Sequence, residues 1–321
     1  MKIRIHNFTL IEILLVTAII STILGLSLAT LQGARDQARF GRWLAYSANM
    51  KAEPSLIAYY NFQDDSNAAV LKNQALGFNI TQYDQRKVDA SIYKPQWSKG
   101  RWKNKGALRG NGVDSYAMIG SDNKINYMSQ EFSLELWFYL TNDESCTLFH
   151  TIATINNPVA APANAPKGIA KKFEPVDVDI INVELYNTKV VIDYVSDVTF
   201  KTNPNNRQGS GGGYAWGTLV TTADISTQRA TFNHKFSINK WYYLVLTYSY
   251  TAQKLYLYVN GEKVGESTET DPLVYLFQKT YIGGDNSAGC SINGLIDEVG
   301  IYNRALTPYD IKAHYSMGAP R

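Results

Sequence analysis

Hydrophobic positions fall into two regimes along this chain. From Phe8 to Leu31 the residues are apolar apart from small hydroxyl side chains and a glycine, and the only charge there is Glu12, near the start. Ile13 to Leu31 carry no charge at all, a stretch of about nineteen residues that suffices to span a bilayer. A carboxylate placed in such a helix costs roughly 2.5–3.5 kcal/mol on insertion scales, so Glu12 marks a function and a partner. Farther on, Leu31, Ala34, Ala38, Gly41, Ala45 and Ala48 recur in alternating steps of three and four, a stripe of small residues along one helical face. Phe40, Trp43, Leu44, Ser47 and Met50 fall on another face, where large side chains seat a globular head. Arg35, Asp36, Arg39 and Arg42 read as the solvated face, and Pro54 as the stop. At about 1.5 Å per residue the rod from Phe8 to Lys51 is roughly 65 Å long, with Gly25 a point where it unwinds on packing.

The period changes at Leu56. Short alternating segments follow, separated by Gly, Asn, Asp and Pro clusters, with no further helix until the end. Phe132, Leu134, Leu136, Phe138 and Leu140 alternate with Ser133, Glu135, Trp137 and Tyr139, which predicts a strand with one side facing the core. Trp241–Tyr248 and Leu255–Val259 repeat the pattern, and Asn260-Gly261 predicts a two-residue hairpin turn because both positions tolerate positive φ. Thr307-Pro308 opens a short terminal helix through Ile311 to Tyr315, with Thr307 as its N-cap. The fold class is therefore a long N-terminal α-helix followed by an all-β sandwich.

Composition agrees with a tethered body. A head of about 265 of the 321 residues is large enough to bury its own core. The net charge of +3, with Lys and Arg spread rather than clustered, gives no reason to expect nucleic acid. Tyrosine outnumbers phenylalanine 22 to 12, as wide half-buried sheet faces require. The four histidines, His6, His150, His234 and His314, lack ligand spacing. Asp177-Val178-Asp179 with Glu184 is the one candidate for a glycosidase carboxylate pair, and by strict alternation Glu184 falls on the opposite side from the two aspartates. No enzyme is expected. Cys146 and Cys290 form a bridge or remain two free thiols.

Two resemblances are specific. Phe8-Thr9-Leu10-Ile11-Glu12, preceded by the short basic leader Met1–Asn7 and followed by the apolar run, resembles the processing signal of type IV prepilins. Lys2 and Arg4 of the leader would stay on the cytoplasmic side. The resemblance implies a leader over 1–7, cleavage between Asn7 and Phe8, N-methylation of Phe8, and Glu12 as the assembly glutamate on a hydrophobic helix over 8–53. Its partners would be prepilin peptidase, the inner-membrane pilus assembly machinery, the membrane before assembly, and copies of itself afterwards. The family nearly always has glycine before the cut, where this chain has Asn7. Three other readings stand beside it: a secretory signal cut after Ser27-Leu28-Ala29, a permanent anchor over Ile13–Leu31, and a buried helix of a soluble protein.

The second resemblance covers Leu56 to Tyr315. Ile57–Phe62, Gly106–Gly112, Phe132–Trp137, Trp241–Tyr248, Leu255–Gly261 and Gly294–Leu306 look like strands of laminin-G-like, concanavalin A-like domains. This implies a jelly-roll sandwich head over 54–321. Between Trp137 and Trp241 there is more chain than that family needs, which places an insertion at about 156–213. Its expected content is a Pro/Ala loop over 156–167, a pair of strands across Val176–Phe200 and an Asn/Gly stretch over 203–213. Such sandwiches often hold a structural calcium. The matching positions here are Gln63, with Asp64 and Asp65 beside it, Asn73 and Asp297. Two functions follow from the pair of resemblances. One is a subunit of a type IV pilus-like extracellular filament, membrane-bound as precursor. The other is an adhesin or lectin-like protein, anchored singly at the membrane or at a pilus tip, that holds a glycan or protein ligand.

Overall fold

The computed structural model describes residues 9–64, 68–76, 89–102, 104–120, 127–129, 131–160, 171–186, 188–196, 226–268, 275–277, 279–285 and 291–320. Two compact units emerge, Met1–Ala45 and Tyr46–Arg321.

The first element is a continuous helix, α1 (Leu10–Lys51), which runs unbroken through Gly25. Its start is fixed by a reciprocal cap that the sequence reading overlooked. Thr9 Oγ1 accepts from Glu12 N at 3.3 Å, while Glu12 Oε2 accepts from Thr9 N at 2.8 Å and from Thr9 Oγ1 at 2.9 Å. Thr17, Ser21, Thr22 and Thr30 each donate a hydroxyl hydrogen to a carbonyl one turn back, so the helix leaves few polar hydrogens unsatisfied.

The strands in order are β1 (Leu56–Tyr60), β2 (Val70–Leu71), β3 (Ala90–Tyr93), β4 (Gln96–Lys99), β5 (Gly106–Arg109), β6 (Tyr116–Ile119), β7 (Tyr127–Ser129), β8 (Phe132–Leu140) and β9 (Cys146–Ala160). There follow β10 (Lys171–Tyr186), β11 (Lys189–Ser196), β12 (Ser226–Asn233), β13 (Trp241–Ser249), β14 (Lys254–Val259), β15 (Glu262–Glu266), β16 (Tyr275–Phe277), β17 (Lys279–Ile282) and β18 (Gly294–Tyr302). The chain closes with α2 (Pro308–Gly318). One sheet runs β15-β14-β13-β8-β18-β5-β4, with β1 also on β18; the other runs β12-β11-β10-β9-β17-β6-β3-β2; β16 and β7 form a small ribbon. All pairings are antiparallel. The core lies between the two large sheets, where Leu134, Leu136 and Phe138 of β8 are in one cluster with Ile119, Phe149, Val183 and Ile282 of the opposite sheet. Asn260 (φ 53°) and Gly261 (φ 83°) make the expected turn between β14 and β15.

Two segments depart from expectation. Residues 156–160, expected in a loop, continue β9, and β9 pairs with β10 from Cys146–Leu185 out to Ala160–Lys171. Among the described residues β9 pairs with β17 only through Ile152 and β10 with β11 only through Ile181, so Pro158 and Pro175 sit where their strands pair only with each other. The strand pair expected across Val176–Phe200 is β10 and β11, and the 203–213 stretch lies outside the described residues.

β8 was expected to have one side facing the core; seven of its first seven residues are buried, because its outer side is covered too. The cover within the head unit is α2 and the last residues of α1. Tyr46, Ser47 and Met50 are buried there. Tyr46 meets His314 edge-on at 5.5 Å and Ser47 Oγ lies 3.1 Å from Tyr59 Oη. α2 is held by the predicted Thr307 cap, completed into a capping box by Asp310, and stacks Tyr315 on Trp137 at 5.8 Å.

Beneath α2, Glu135 is buried and accepts from Tyr243 Oη, from Tyr302 Oη at 2.6 Å, and from His314 Nδ1 at 2.9 Å. Burial alone would lower the His314 pKa, but the adjacent carboxylate outweighs it and holds the imidazole above its ordinary 6.5. Burial alone would raise Glu135, but His314 and the two phenols hold it below 4.5. A raised histidine stabilises below its unfolded value and ceases to as pH climbs through the folded one. A lowered carboxylate stabilises above its unfolded value and ceases to as pH falls through the folded one. The pair therefore contributes fully between about pH 4.5 and 6.5. Thermal melts should show the wild type losing stability relative to His314→Gln as the buffer moves from about pH 5.5 to about pH 8.5. A constant difference would remove the pair from the stability of α2.

Candidate functional site

The outer face of the second sheet carries a transverse row of polar and aromatic side chains. Registers link it strand by strand: Tyr93 opposes Tyr116, Tyr281 opposes Met118 and His150, His150 opposes Asn182, Asn182 opposes Asp193, and Asp193 opposes Arg229. Alternate residues on the same strands, Ala117, Phe149, Val183, Ile192 and Ile282, belong to the core, so period-two geometry turns the row outward. Three tyrosines and a histidine form a ladder. Tyr93 stacks on Tyr116 at 4.9 Å, Tyr116 meets Tyr281 edge-on at 5.2 Å, and Tyr281 lies 5.8 Å from His150. Tyr93, at 49 % exposure, is the open end.

Polar groups continue the row. His150 Nε2 lies 2.9 Å from Asp179 Oδ1, Asn182 Nδ2 donates to Glu184 Oε1 at 2.9 Å, and Tyr186 Oη donates to Glu184 Oε2 at 2.7 Å. Arg229 grips Asp193 with two hydrogen bonds of 2.6 and 2.8 Å. His150 Nδ1 and Asn182 Oδ1 are buried with no hydrogen-bond partner among the described residues. His150 Nδ1 lies 3.9 Å from Asp285 Oδ2.

The row corrects one expectation. Glu184 shares the face of Asp179, because a register shift between Asp179 and Ile181 inserts Ile180 as an extra residue and restores the phase. His150, bonded to Asp179 and opposite Asn182, ties both sides of the shift to one surface. Nothing in the sequence advertises the bulge. The tyrosines were visible as an excess, but their alignment depends on pairings between strands far apart in the chain.

The expected metal positions do not assemble into a donor set. Gln63 is exposed; Asp64 Oδ1 accepts from Lys72 N at 3.4 Å, and Asp64 Oδ2 is buried with no hydrogen-bond partner among the described residues. Asn73 Oδ1 accepts from Tyr59 N at 2.9 Å and from Ala75 N at 3.1 Å, so that oxygen pins the backbone beside β1. Asp297 is fully buried, with Oδ2 2.8 Å from Arg101 Nε and Oδ1 2.6 Å from Lys105 Nζ. Two side-chain cations already neutralise it, and a divalent ion does not fit these residues as they stand. No group of three or more His, Cys, Asp or Glu suited to a metal occurs among the described residues. Asn7, Phe8, Asp65 and Cys290 lie outside them.

Comparison with known proteins bears on the head. The family model described as the concanavalin A-like lectin/glucanases superfamily (Laminin_G_3) matches residues 185–312, from the end of β10 into the first half of α2. Solved structures similar to the chain include domain 4 of AbnA, a GH43 extracellular arabinanase from Geobacillus stearothermophilus, in complex with arabinotriose (16 % identity, 81 % of this chain and 97 % of that one, TM-score 0.45). Another is the botulinum neurotoxin serotype D ligand-binding domain in complex with N-acetylneuraminic acid (13 % identity, 85 % and 52 %, TM-score 0.49). A third is Trypanosoma rangeli sialidase with the inhibitor DANA (13 % identity, 87 % and 37 %, TM-score 0.45). A search of curated proteins finds no match. The head is an antiparallel two-sheet sandwich of concanavalin A-like type.

Cys146 is buried and has no disulfide partner among the described residues; burial first, with the Glu184 carboxylate second, pushes the pKa of its thiol up to about 12. A thiol in that state is a poor nucleophile. In a Cys290→Ser background, Ellman's reagent should find no reactive thiol until the head unfolds, and then one; prompt reaction in the native protein would place Cys146 at the surface.

Proposed function

We propose that this chain is a cell-surface subunit that assembles through its N-terminal helix in the manner of a type IV pilin and displays the laminin-G-like sandwich outward. The observation that supports this most is the state of α1. From Leu10 to Leu31 its large apolar side chains are each at least 49 % exposed, including the consecutive run Ile13-Leu14-Leu15-Val16, which covers every side of a turn. A helix apolar all round needs a bilayer or a bundle of other helices, and it is the one helix among the described residues long and apolar enough to cross a membrane. In either apolar setting the Glu12 carboxylate requires a cation. A neighbouring subunit's terminal ammonium, freed by cleavage between Asn7 and Phe8, is the partner of matching chemistry.

Glu12 also caps its own helix, so the two roles must be separated. Glu12→Gln keeps a cap able to accept the same hydrogen bonds and deletes the charge. Glu12→Ala deletes both, at a cost to helix stability of about 0.5–2 kcal/mol. If the charge drives assembly, both variants fall out of surface filaments while reaching the membrane in normal amounts. Normal incorporation of Glu12→Gln would reduce Glu12 to a cap. Mass spectrometry of the mature N-terminus distinguishes methylated Phe8 from Thr30 or Met1.

The tyrosine row supports a second reading for the head, the binding of a saccharide across the second sheet. Flat phenol rings beside amide and carboxylate acceptors are the groups that hold sugar faces and hydroxyls. With Asp179, Glu184 and Asp193 on that face, a neutral sugar suits it better than an acidic one. Glycan arrays should return neutral oligosaccharides. Tyr93→Ala, at an exposed position, should weaken their binding roughly 2- to 10-fold with no change in melting temperature. Unchanged binding would move the ligand off this face.

A further inference from the structure

The buried cations around Asp297 carry an inference that does not depend on how the chain is displayed. β18 changes partner within its length: Leu295 and Ile296 pair with β5, whereas Val299 to Tyr302 pair with β1. At the change the register shifts between Asp297 and Val299, and Glu298 adopts φ 58°. The ends of β1 and β5 meet there. A Cβ on Gly106 would stand 2.1 Å from Phe62 O, so the two backbones approach as closely as glycine allows.

Into this junction the turn between β4 and β5 sends two side chains, both fully buried. Lys105 Nζ donates to Asn61 O, directly after β1, and lies 2.6 Å from Asp297 Oδ1 on β18. Arg101 pairs with Asp297 Oδ2 and Glu298 Oε2 and donates to Gly318 O at 2.6 Å. Two strained residues flank the acceptors of Lys105. Phe62 (φ 53°) follows Asn61 and Glu298 follows Asp297, and bulky side chains hold such backbone only where the surroundings fix it.

We infer that the Lys105 ammonium is a built-in cation that joins the end of the first strand to the last, in the place where the resemblance puts a calcium ion, so that the head folds without a divalent metal. A backbone carbonyl and an aspartate oxygen are ligands that calcium would also accept. Here one covalently attached charge takes both, and Arg101 takes the other Asp297 oxygen. Removing the ammonium should therefore leave an uncompensated oxygen cluster that a small hard cation can enter.

The full chain in detergent, followed by tryptophan fluorescence during heating, tests this. The wild type should melt at the same temperature in EDTA and in millimolar calcium chloride. Lys105→Met should melt roughly 10 °C lower, since one member of a buried charge cluster is lost. Lys105→Ala, which also opens space, should melt low in EDTA and recover by several degrees with calcium, but not with equal ionic strength of sodium. Adding Asp297→Asn to Lys105→Met should restore part of the loss by removing the orphaned charge. A wild-type protein that melts lower in EDTA or higher in calcium would overturn the inference, as would a Lys105→Met protein as stable as wild type. If neither lysine variant folds, the wild-type comparison alone decides.

Discussion

Two carboxylates on adjacent residues of the last strand, Asp297 and Glu298, are buried almost completely, and the architecture of the head turns on how they are neutralised. Their cations come from a single turn, Arg101 and Lys105, so the four formal charges cancel inside a small volume. Breaking one side of such a cluster costs about 3–5 kcal/mol, a large share of a domain's net stability. The cost is local, but the consequences spread. Glu298 accepts from Tyr59 Oη, which also meets Ser47 on the final turns of α1; Arg101 lies 4.2 Å over Trp137 and holds the last carbonyl of α2. One charge cluster thus joins the first strand, the last strand, both helical caps and the sheet between them.

The same economy explains the tyrosine excess. On the covered face of the first sheet, Tyr59, Tyr243 and Tyr302 each bury a ring and give their hydroxyl hydrogen to Glu298 or Glu135. Phenylalanine would fill the space and leave those carboxylates without partners. Burial first, with the neighbouring carboxylates adding to it, lifts the pKa of these phenols well above 10, so they stay neutral donors at any physiological pH.

Much of this was legible from the chain. The strand alternation around Leu134, the Asn260-Gly261 turn, the Thr307 cap and the apolar helix each depend on residues close in sequence, where local geometry decides. What escaped reading depends on long-range pairing. Arg101 and Lys105 were given no role, and only the meeting of β1, β5 and β18 makes them interior groups. Glu184 was assigned to the wrong side because a single unpaired residue, Ile180, reverses the count. Pro158 was placed in a loop, whereas it pairs with Phe173 inside β9, and strand pairing is a property of the sheet, not of the sequence. Thr9 and Glu12 did satisfy a local rule; a charge in an apolar helix drew attention away from its ordinary capping chemistry.

The two outer faces of the sandwich therefore differ in what they present. The face over β8, β13 and β18 is closed by α2 and by the last turns of α1, and its ionisable groups are internally neutralised, which leaves nothing there for a ligand. The face over β6, β17, β9 and β10 holds the tyrosine ladder, exposed at Tyr93 and buried at Tyr281 and His150. Tyr46, Ser47 and Met50 belong to the closed face, and none of the residues of the tyrosine row does.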